Sequence, residues 1–113
     1  MHELTLVSSI YDVINEKIKE YSVNKVIQIN LIVGELTCVE DMTMNACFEM
    51  YVQATPLEGA KLVIERVPIK VRCRICGNEY VTKVPFSDCA ACGSKNIEII
   101  SGKEFYIDSI EAQ

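Results

Sequence analysis

The chain has 113 residues, of which 50% are hydrophobic and 24% charged, a composition that is typical of a globular protein and excludes a disordered one. Its apolar runs are too short for a membrane span, and polar residues interrupt the start where a signal peptide would be continuously apolar. The net charge is −5, and only residues 68–100 are locally basic, with five Lys or Arg against three Asp or Glu. We therefore expect a cytoplasmic protein that neither spans a membrane nor binds nucleic acid, since phosphate binding needs a basic face.

The first third of the chain predicts a helix followed by a strand. Residues 4–21 carry apolar side chains at spacings of three and four, the period of an amphipathic helix. These side chains belong to Leu4, Val7, Ile10, Tyr11, Ile14, Ile18 and Tyr21. Residues 25–33 alternate between apolar and polar side chains, which predicts a strand that ends at Gly34.

A second helix and strand follow. Thr37 and Glu40 have the spacing of a capping box, which predicts a helix over residues 38–53. Its apolar stripe includes Met44 and Phe48, and a loop with proline and glycine then leads to a strand over residues 60–67.

The remaining chain divides into a cysteine-rich module and a last strand. Residues 69–100 contain four cysteines and, at 79–86, the pattern of one ribbon strand, and residues 103–110 again have strand character. This order predicts an α+β fold in which a small sheet with two helices forms one domain from residues 1–68 plus 101–113. A zinc ribbon of residues 69–100 would be inserted between two paired strands of that domain.

Two cysteine pairs with metal-ligand spacing carry the clearest chemistry. Cys73 and Cys76 form one pair, Cys89 and Cys92 the other, and a glycine follows each. Two intervening residues allow a tight turn to aim both sulfurs at one ion, and two such turns give the tetrahedral S₄ shell that suits Zn²⁺. A closed shell predicts a structural zinc, whose binding is coupled to folding of the ribbon. A rubredoxin-type iron site and redox-active cysteine pairs are the alternatives.

His2 is the single histidine of the chain. A lone histidine near a terminus is most often an exposed tail residue. The Met1 amine, a deprotonated backbone amide and the His2 imidazole can nevertheless chelate one ion, and Glu3 can add an amide nitrogen or a carboxylate. Nitrogen-rich square-planar coordination is preferred by Ni(II) and Cu(II). The chemistry alone is weak evidence, because many peptides with this start bind these metals loosely.

Several motifs, taken in order, resemble the HypA/HybF family of hydrogenase nickel-incorporation proteins. They are MHEL at residues 1–4, VGEL at 33–36, LEGAKL at 57–62, IERVP at 64–68, the two cysteine knuckles and SGKEF at 101–105. The resemblance covers essentially the full length. One departure is Ala90, where many members have proline, which changes the rigidity of the turn but not the ligand set.

The resemblance implies a nickel metallochaperone with two domains. No sequence feature supplies a nucleophile, an acid/base pair or a phosphate-binding loop, so we expect no enzymatic activity. The resemblance implies that His2 is the key nickel ligand, that Met1 and Glu3 contribute nitrogens or nearby groups, and that the four paired cysteines hold zinc. It also implies delivery of nickel to the large subunit of NiFe-hydrogenase with a HypB-type GTPase as partner. The chain itself is expected to be a monomer or a homodimer. Because the family also serves urease in some bacteria, urease accessory proteins are further expected partners.

The alternative function is a zinc-ribbon module of a transcription or translation protein. Such ribbons usually carry basic or aromatic faces for nucleic acid, and this one has few basic residues to form such a face. The two unpaired cysteines, Cys38 and Cys47, are predicted to be small core residues, with a role in metal handling as the alternative. Tyr11, Tyr21 and Tyr51 are predicted to be core rather than ligands.

Overall fold

The computed structural model describes residues 3–84 and 88–113. The elements are α1 (Glu3–Tyr21), β1 (Val26–Gly34), one 3-10 turn (Glu35–Thr37), α2 (Asp41–Tyr51), β2 (Lys61–Val67), β3 (Ile69–Cys73), β4 (Glu79–Thr82), β5 (Ile97–Ser101) and β6 (Phe105–Ala112). The predicted α+β class is confirmed. Within the described residues, neither helix combines the length and the apolarity needed to cross a bilayer.

α1 follows the predicted helical period, but its buried stripe is narrower than expected. Val7, Ile10, Ile14 and Ile18 are buried at spacings of three and four, so one face of the helix reaches the core. Leu4 and Tyr21, at the two ends of the helix, are exposed, because the stripe drifts away from the core over several turns.

α2 begins later than the sequence predicts. The Thr37 hydroxyl donates to the Gly34 carbonyl at 2.8 Å, inside the 3-10 turn, instead of capping a helix. Cys38 then adopts a left-handed conformation with φ of 57°, which interrupts the helical path. The helix therefore starts at Asp41 with Glu40 as its N-cap, and the predicted capping box is wrong. Met44 and Phe48 are buried as expected.

β1 is the middle strand of a three-stranded sheet with the order β2-β1-β6. Backbone hydrogen bonds join Lys25 to Gln113 at one end and Gly34 to Glu104 at the other, so β1 and β6 run antiparallel. The expectation that the cysteine module is inserted between two paired strands is wrong, because β2 and β6 each pair with β1.

β3 is the middle strand of a second, antiparallel sheet with the order β4-β3-β5. Its alternation is regular: Ile69, Val71 and Cys73 are buried, whereas Lys70 and Arg72 point outwards. The predicted ribbon strand over 79–86 forms as Glu79–Thr82, and its last residues fall in 85–87, outside the described residues.

The chain separates into two compact units. The first unit contains residues up to Leu31, Val39–Glu65 and Tyr106–Gln113, and the second unit contains Ile32–Cys38 and Arg66–Phe105. The first unit is built on α1, α2 and most of the first sheet, and the second unit on the cysteine-rich sheet. The domain boundaries at residues 1–68 plus 101–113 and 69–100 stay a prediction.

Candidate metal centre

The first cysteine pair lies on a tight turn at the end of β3. The Cys73 N–H donates to the Asn78 carbonyl at 2.9 Å, and the Gly77 N–H donates to the Cys73 carbonyl at 2.9 Å. Gly77 has a φ of +79°, a left-handed conformation that costs a side-chain-bearing residue about 1–2 kcal/mol. Glycine therefore permits the turn that brings Cys76 back beside Cys73.

The second pair repeats this geometry on a different part of the chain. The Cys89 N–H donates to the Ser94 carbonyl and the Gly93 N–H donates to the Cys89 carbonyl, both at 2.8 Å. Gly93 has a φ of +76°, close to that of its counterpart. The two turns are thus equivalent knuckles, each with one buried and one exposed cysteine.

The four sulfur atoms face one another. All lie within 4.8 Å of each other, with 3.6 Å between the Cys73 and Cys92 sulfurs and 3.6 Å between those of Cys76 and Cys89. A Zn–S bond of about 2.3 Å in a tetrahedron places ligand sulfurs about 3.8 Å apart. The donor set and its spacing therefore fit a four-coordinate metal, and they suit zinc. The structure brings together all four cysteines that the spacing singled out.

Backbone N–H groups point at the first sulfur of each knuckle. The Cys76 N–H lies 3.5 Å from the Cys73 sulfur, and the Ala91 and Cys92 N–H groups lie 3.4 and 3.5 Å from the Cys89 sulfur. These donors stabilise the thiolate form. The Cys76 N–H lowers the pKa of Cys73 from 9.0 to about 6, and the Cys92 N–H likewise lowers the pKa of Cys89.

The pKa of the second cysteine of each knuckle is raised instead of lowered. The Asn78 N–H lowers the pKa of Cys76, but burial and the neighbouring thiols outweigh it, so this pKa is raised overall. The Ser94 N–H likewise lowers the pKa of Cys92, but the hydrogen bond with Cys73 and burial raise it to about 12. The metal-free cluster therefore pairs thiolates with thiols, and a metal must displace the protons of the thiols.

Ion pairs cover the outer face of the cysteine-rich sheet. Arg72 reaches Glu79 at 2.8 Å and Glu98 at 3.6 Å, and Lys70 and Arg74 add contacts to these carboxylates at 3.4 and 3.6 Å. The hydrogen bond from Arg72 lowers the pKa of Glu79. Three of the five basic residues that make this segment locally positive are therefore paired with acids. Sequence alternation places the three basic residues on one face, but it does not identify their partners.

The predicted nickel residues lie at the edge of the described chain. Met1 and His2 are outside the described residues, so the arrangement of the predicted nickel ligands stays a prediction. Glu3 is the first residue of α1, and its carboxylate accepts a hydrogen bond from the Glu40 backbone N–H at 3.4 Å. This contact fixes Glu3 against the start of α2, and local sequence patterns do not reveal it.

The remaining cysteines do not join the cluster. Cys38 is exposed and Cys47 is half-buried, so the prediction that both are core residues is wrong for Cys38. Cys38 is the left-handed residue that ends the 3-10 turn. Tyr21 and Tyr51 are also exposed rather than core, and the Tyr51 ring packs edge-on against Tyr11 at 5.4 Å between centroids.

Comparison with known proteins gives one consistent family. The sequence model of the family described as hydrogenase/urease nickel incorporation, metallochaperone, hypA matches residues 1–112. The hydrogenase maturation factor HypA of Dehalococcoides mccartyi strain CBDB1 is 38% identical over 98% of this chain and 93% of its own length. The protein of the same name from Geobacter metallireducens is 34% identical over the full length of both chains.

Two solved structures share the fold. The solution structure of the Ni metallochaperone HypA from Helicobacter pylori has a TM-score of 0.66 and 24% identity, covering 99% of this chain and 97% of that one. A second solution structure of a HypA protein has a TM-score of 0.73 and 24% identity, covering 100% and 97%.

Proposed function

The chain belongs to the HypA family of nickel-incorporation proteins, with a role in hydrogenase maturation, and from this membership we propose that it is a nickel metallochaperone. It binds Ni(II) through Met1, His2 and Glu3 and carries the ion to the large subunit of NiFe-hydrogenase. The observation that carries the proposal is the family match over residues 1–112, which includes the single histidine at position 2.

The start of α1 is chemically suited to such a site. Nickel coordination by backbone nitrogen requires amides to lose their protons. The first four N–H groups of an α-helix have no acceptor within the helix, so ionising the amide of Glu3 breaks no bond of the helical ladder. The positive end of the helix dipole also stabilises an anionic nitrogen there. The Glu40 N–H holds the Glu3 carboxylate near the same end.

A carrier must release its ion as well as hold it. A site made of one imidazole and backbone nitrogens near a terminus can be taken apart without unfolding the protein. Protons compete with nickel for these nitrogens, so the affinity falls as the pH falls. Cu(II) binds nitrogen ligands more tightly than Ni(II), so selectivity for nickel comes from partners and from metal availability.

We propose that the four-cysteine centre holds a structural zinc ion. Four thiolates close the tetrahedral shell and leave no position for a substrate. The zinc joins the end of β3 to the loop before β5, and the small sheet of the second unit depends on this link for its stability. The two metals thus have separate tasks: zinc maintains the structure of the second unit, and nickel is the cargo.

The proposed partners follow from what the sequence lacks. It has no phosphate-binding loop and no nucleophile paired with a base, so a carrier role rather than an enzyme is proposed. The energy-dependent step is assigned to a HypB-type GTPase, in the cytoplasm. Urease accessory proteins are proposed as further recipients, in keeping with the family's description.

A nucleic-acid-binding zinc ribbon is the competing function, and the ion pairs weigh against it. Arg72 and Arg74 already bind Glu79 and Glu98. Binding phosphate would require breaking these pairs and bringing the acids close to the phosphate, which is electrostatically unfavourable.

Complementation in cells tests delivery. A bacterial strain that lacks its own HypA-type gene and has a nickel-dependent hydrogenase is supplied with the wild type, His2→Ala or Met50→Ser, whose side chain is 75% exposed on α2. The wild type and Met50→Ser should restore hydrogenase activity at limiting nickel, whereas His2→Ala should do so only when the medium contains excess nickel. Full activity of His2→Ala at limiting nickel would refute the proposed site.

A further inference from the structure

The first unit contains an open apolar groove between the second half of α1 and β6. Its cavity volume is about 430 Å³. The main apolar side chains that line it are Val13, Ile14, Ile18, Tyr21, Ile107 and Ile110. Val13 is 48% exposed and Tyr21 67% exposed, so the groove leaves large apolar side chains in water.

The groove lies beside a strand with an unpaired edge. Among the described residues, β6 is the last strand in the order β2-β1-β6, so one of its edges is hydrogen-bonded to β1 and the other pairs with no described strand. A free strand edge is a template for another extended segment, whose alternate side chains then enter the pockets next to it. Addition of one strand would pair the backbone of β6 and cover the apolar side chains of α1.

The negative charge of the first unit favours a basic partner in the groove. On β6, neither Asp108 nor Glu111 forms an ion pair with any residue that the structure describes. Lys17 also lines the groove, but its ammonium is paired with Glu20 at 3.4 Å. The residues of the first unit include eleven Asp or Glu and four Lys, a net charge of −7. A second copy of β6 would bring like charges together, which disfavours a dimer formed through this edge.

We propose that this groove and the free edge of β6 bind an extended segment of another protein, in which apolar residues alternate with lysine or arginine. The apolar residues enter the groove, and the basic residues point to the other face of the sheet, where the net negative charge of the first unit favours them. The proposal goes beyond nickel and zinc binding and requires no nickel ion, so it is tested on the zinc-loaded, nickel-free chain.

Three synthetic peptides separate the contribution of charge from that of the alternation between apolar and charged residues. The first, nine residues long, alternates valine with lysine; the second has the same composition with all lysines in one block; the third alternates valine with glutamate. Each is titrated into isotopically labelled protein, and the amide signals are followed by NMR. The first peptide should shift signals of residues 13–21 and 106–112 and reach saturation, whereas the other two should not.

Two variants with exposed side chains locate the binding. Tyr21→Ser removes a groove side chain and should weaken the alternating lysine peptide at least about tenfold. Met50→Ser removes an equally apolar, 75% exposed side chain of α2 that does not line the groove, and it should leave binding unchanged. Both variants should keep the wild-type circular dichroism spectrum.

Three results would overturn the proposal. The first is that the alternating lysine peptide does not bind. The second is that both lysine peptides bind equally, with shifts spread over the acidic surface, which would indicate charge attraction alone. The third is that the protein dimerises on its own and Tyr21→Ser abolishes the dimer, since the groove would then belong to a second copy.

Discussion

Replacing Gly34 by alanine is expected to destabilise the second unit by about 3–5 kcal/mol. The backbone of Gly34 is extended, with φ of −76° and ψ of 151°, so alanine is conformationally allowed there. A Cβ at this position would nevertheless lie 2.0 Å from the Gly102 carbonyl oxygen and 2.7 Å from the Lys103 nitrogen. These neighbours are backbone atoms, so the two segments must separate.

The size of the destabilisation follows from the hydrogen bonds that are lost when these two segments separate. The Leu36 N–H donates to the Gly102 carbonyl at 2.8 Å, and the Gly34 N–H donates to the Glu104 carbonyl at 2.7 Å. Two lost hydrogen bonds cost about 1 kcal/mol each. Overpacking adds about 1–3 kcal/mol.

Urea unfolding of the zinc-loaded protein measures the effect, with Gly59→Ala as the matched control. Gly59 has a φ of +82°, and a Cβ added there would meet no atom within 4 Å beyond its chain neighbours. Alanine at this position therefore meets only backbone strain of about 1–2 kcal/mol. We expect Gly34→Ala to lower the free energy of unfolding more than Gly59→Ala does. Equal or smaller destabilisation by Gly34→Ala would refute the reasoning.

Three further predictions concern the metals. Cys73→Ala should lose zinc and the dispersed NMR signals of residues 69–101; one bound equivalent of zinc in this variant would contradict the proposed centre. Zinc binding at pH 8, followed with a pH indicator, should release fewer than four protons, with the Cys92 proton among them, because the pKa of Cys73 is about 6 and that of Cys92 about 12. Release of four protons would show that no thiolate is preformed. Nickel affinity should fall steeply as the pH drops through about 6.5, where an ordinary imidazole gains its proton; the same affinity at pH 5.5 and 7.5 would exclude His2 as a ligand.

Regular periodicity and local spacing made much of the fold predictable. The apolar stripe of α1 and the alternation of β1 are repeating patterns, so the sequence predicted both elements. The strand β3 was not predicted, although its alternation of buried and exposed residues is regular. The errors arose where a single contact overrides the pattern. Thr37 has the right spacing for a capping box, but its hydroxyl binds the Gly34 carbonyl instead. Strand order was also missed, because alternation does not reveal which strand lies in the middle of a sheet.

The candidate sites also differ in how far they could be predicted from the sequence. Cysteines two residues apart must lie on one turn, and the structure indeed brings the four sulfurs within 4.8 Å of one another. By contrast, the hydrogen bond from the Glu40 N–H to Glu3 joins residues 37 positions apart, so no local pattern reveals it. The groove beside β6 depends on tertiary packing, so it likewise cannot be predicted from the sequence.

Titration of Ni²⁺ into zinc-loaded protein that starts at Met1, beside His2→Ala, tests the nickel-carrier function most directly. Calorimetry gives the stoichiometry and affinity, and zinc content with circular dichroism verifies that the variant keeps its structure. We predict one equivalent of tightly bound nickel in the wild type and its loss in His2→Ala, with zinc unchanged in both. Equal nickel binding by the two proteins, or none by either, would contradict the proposed site.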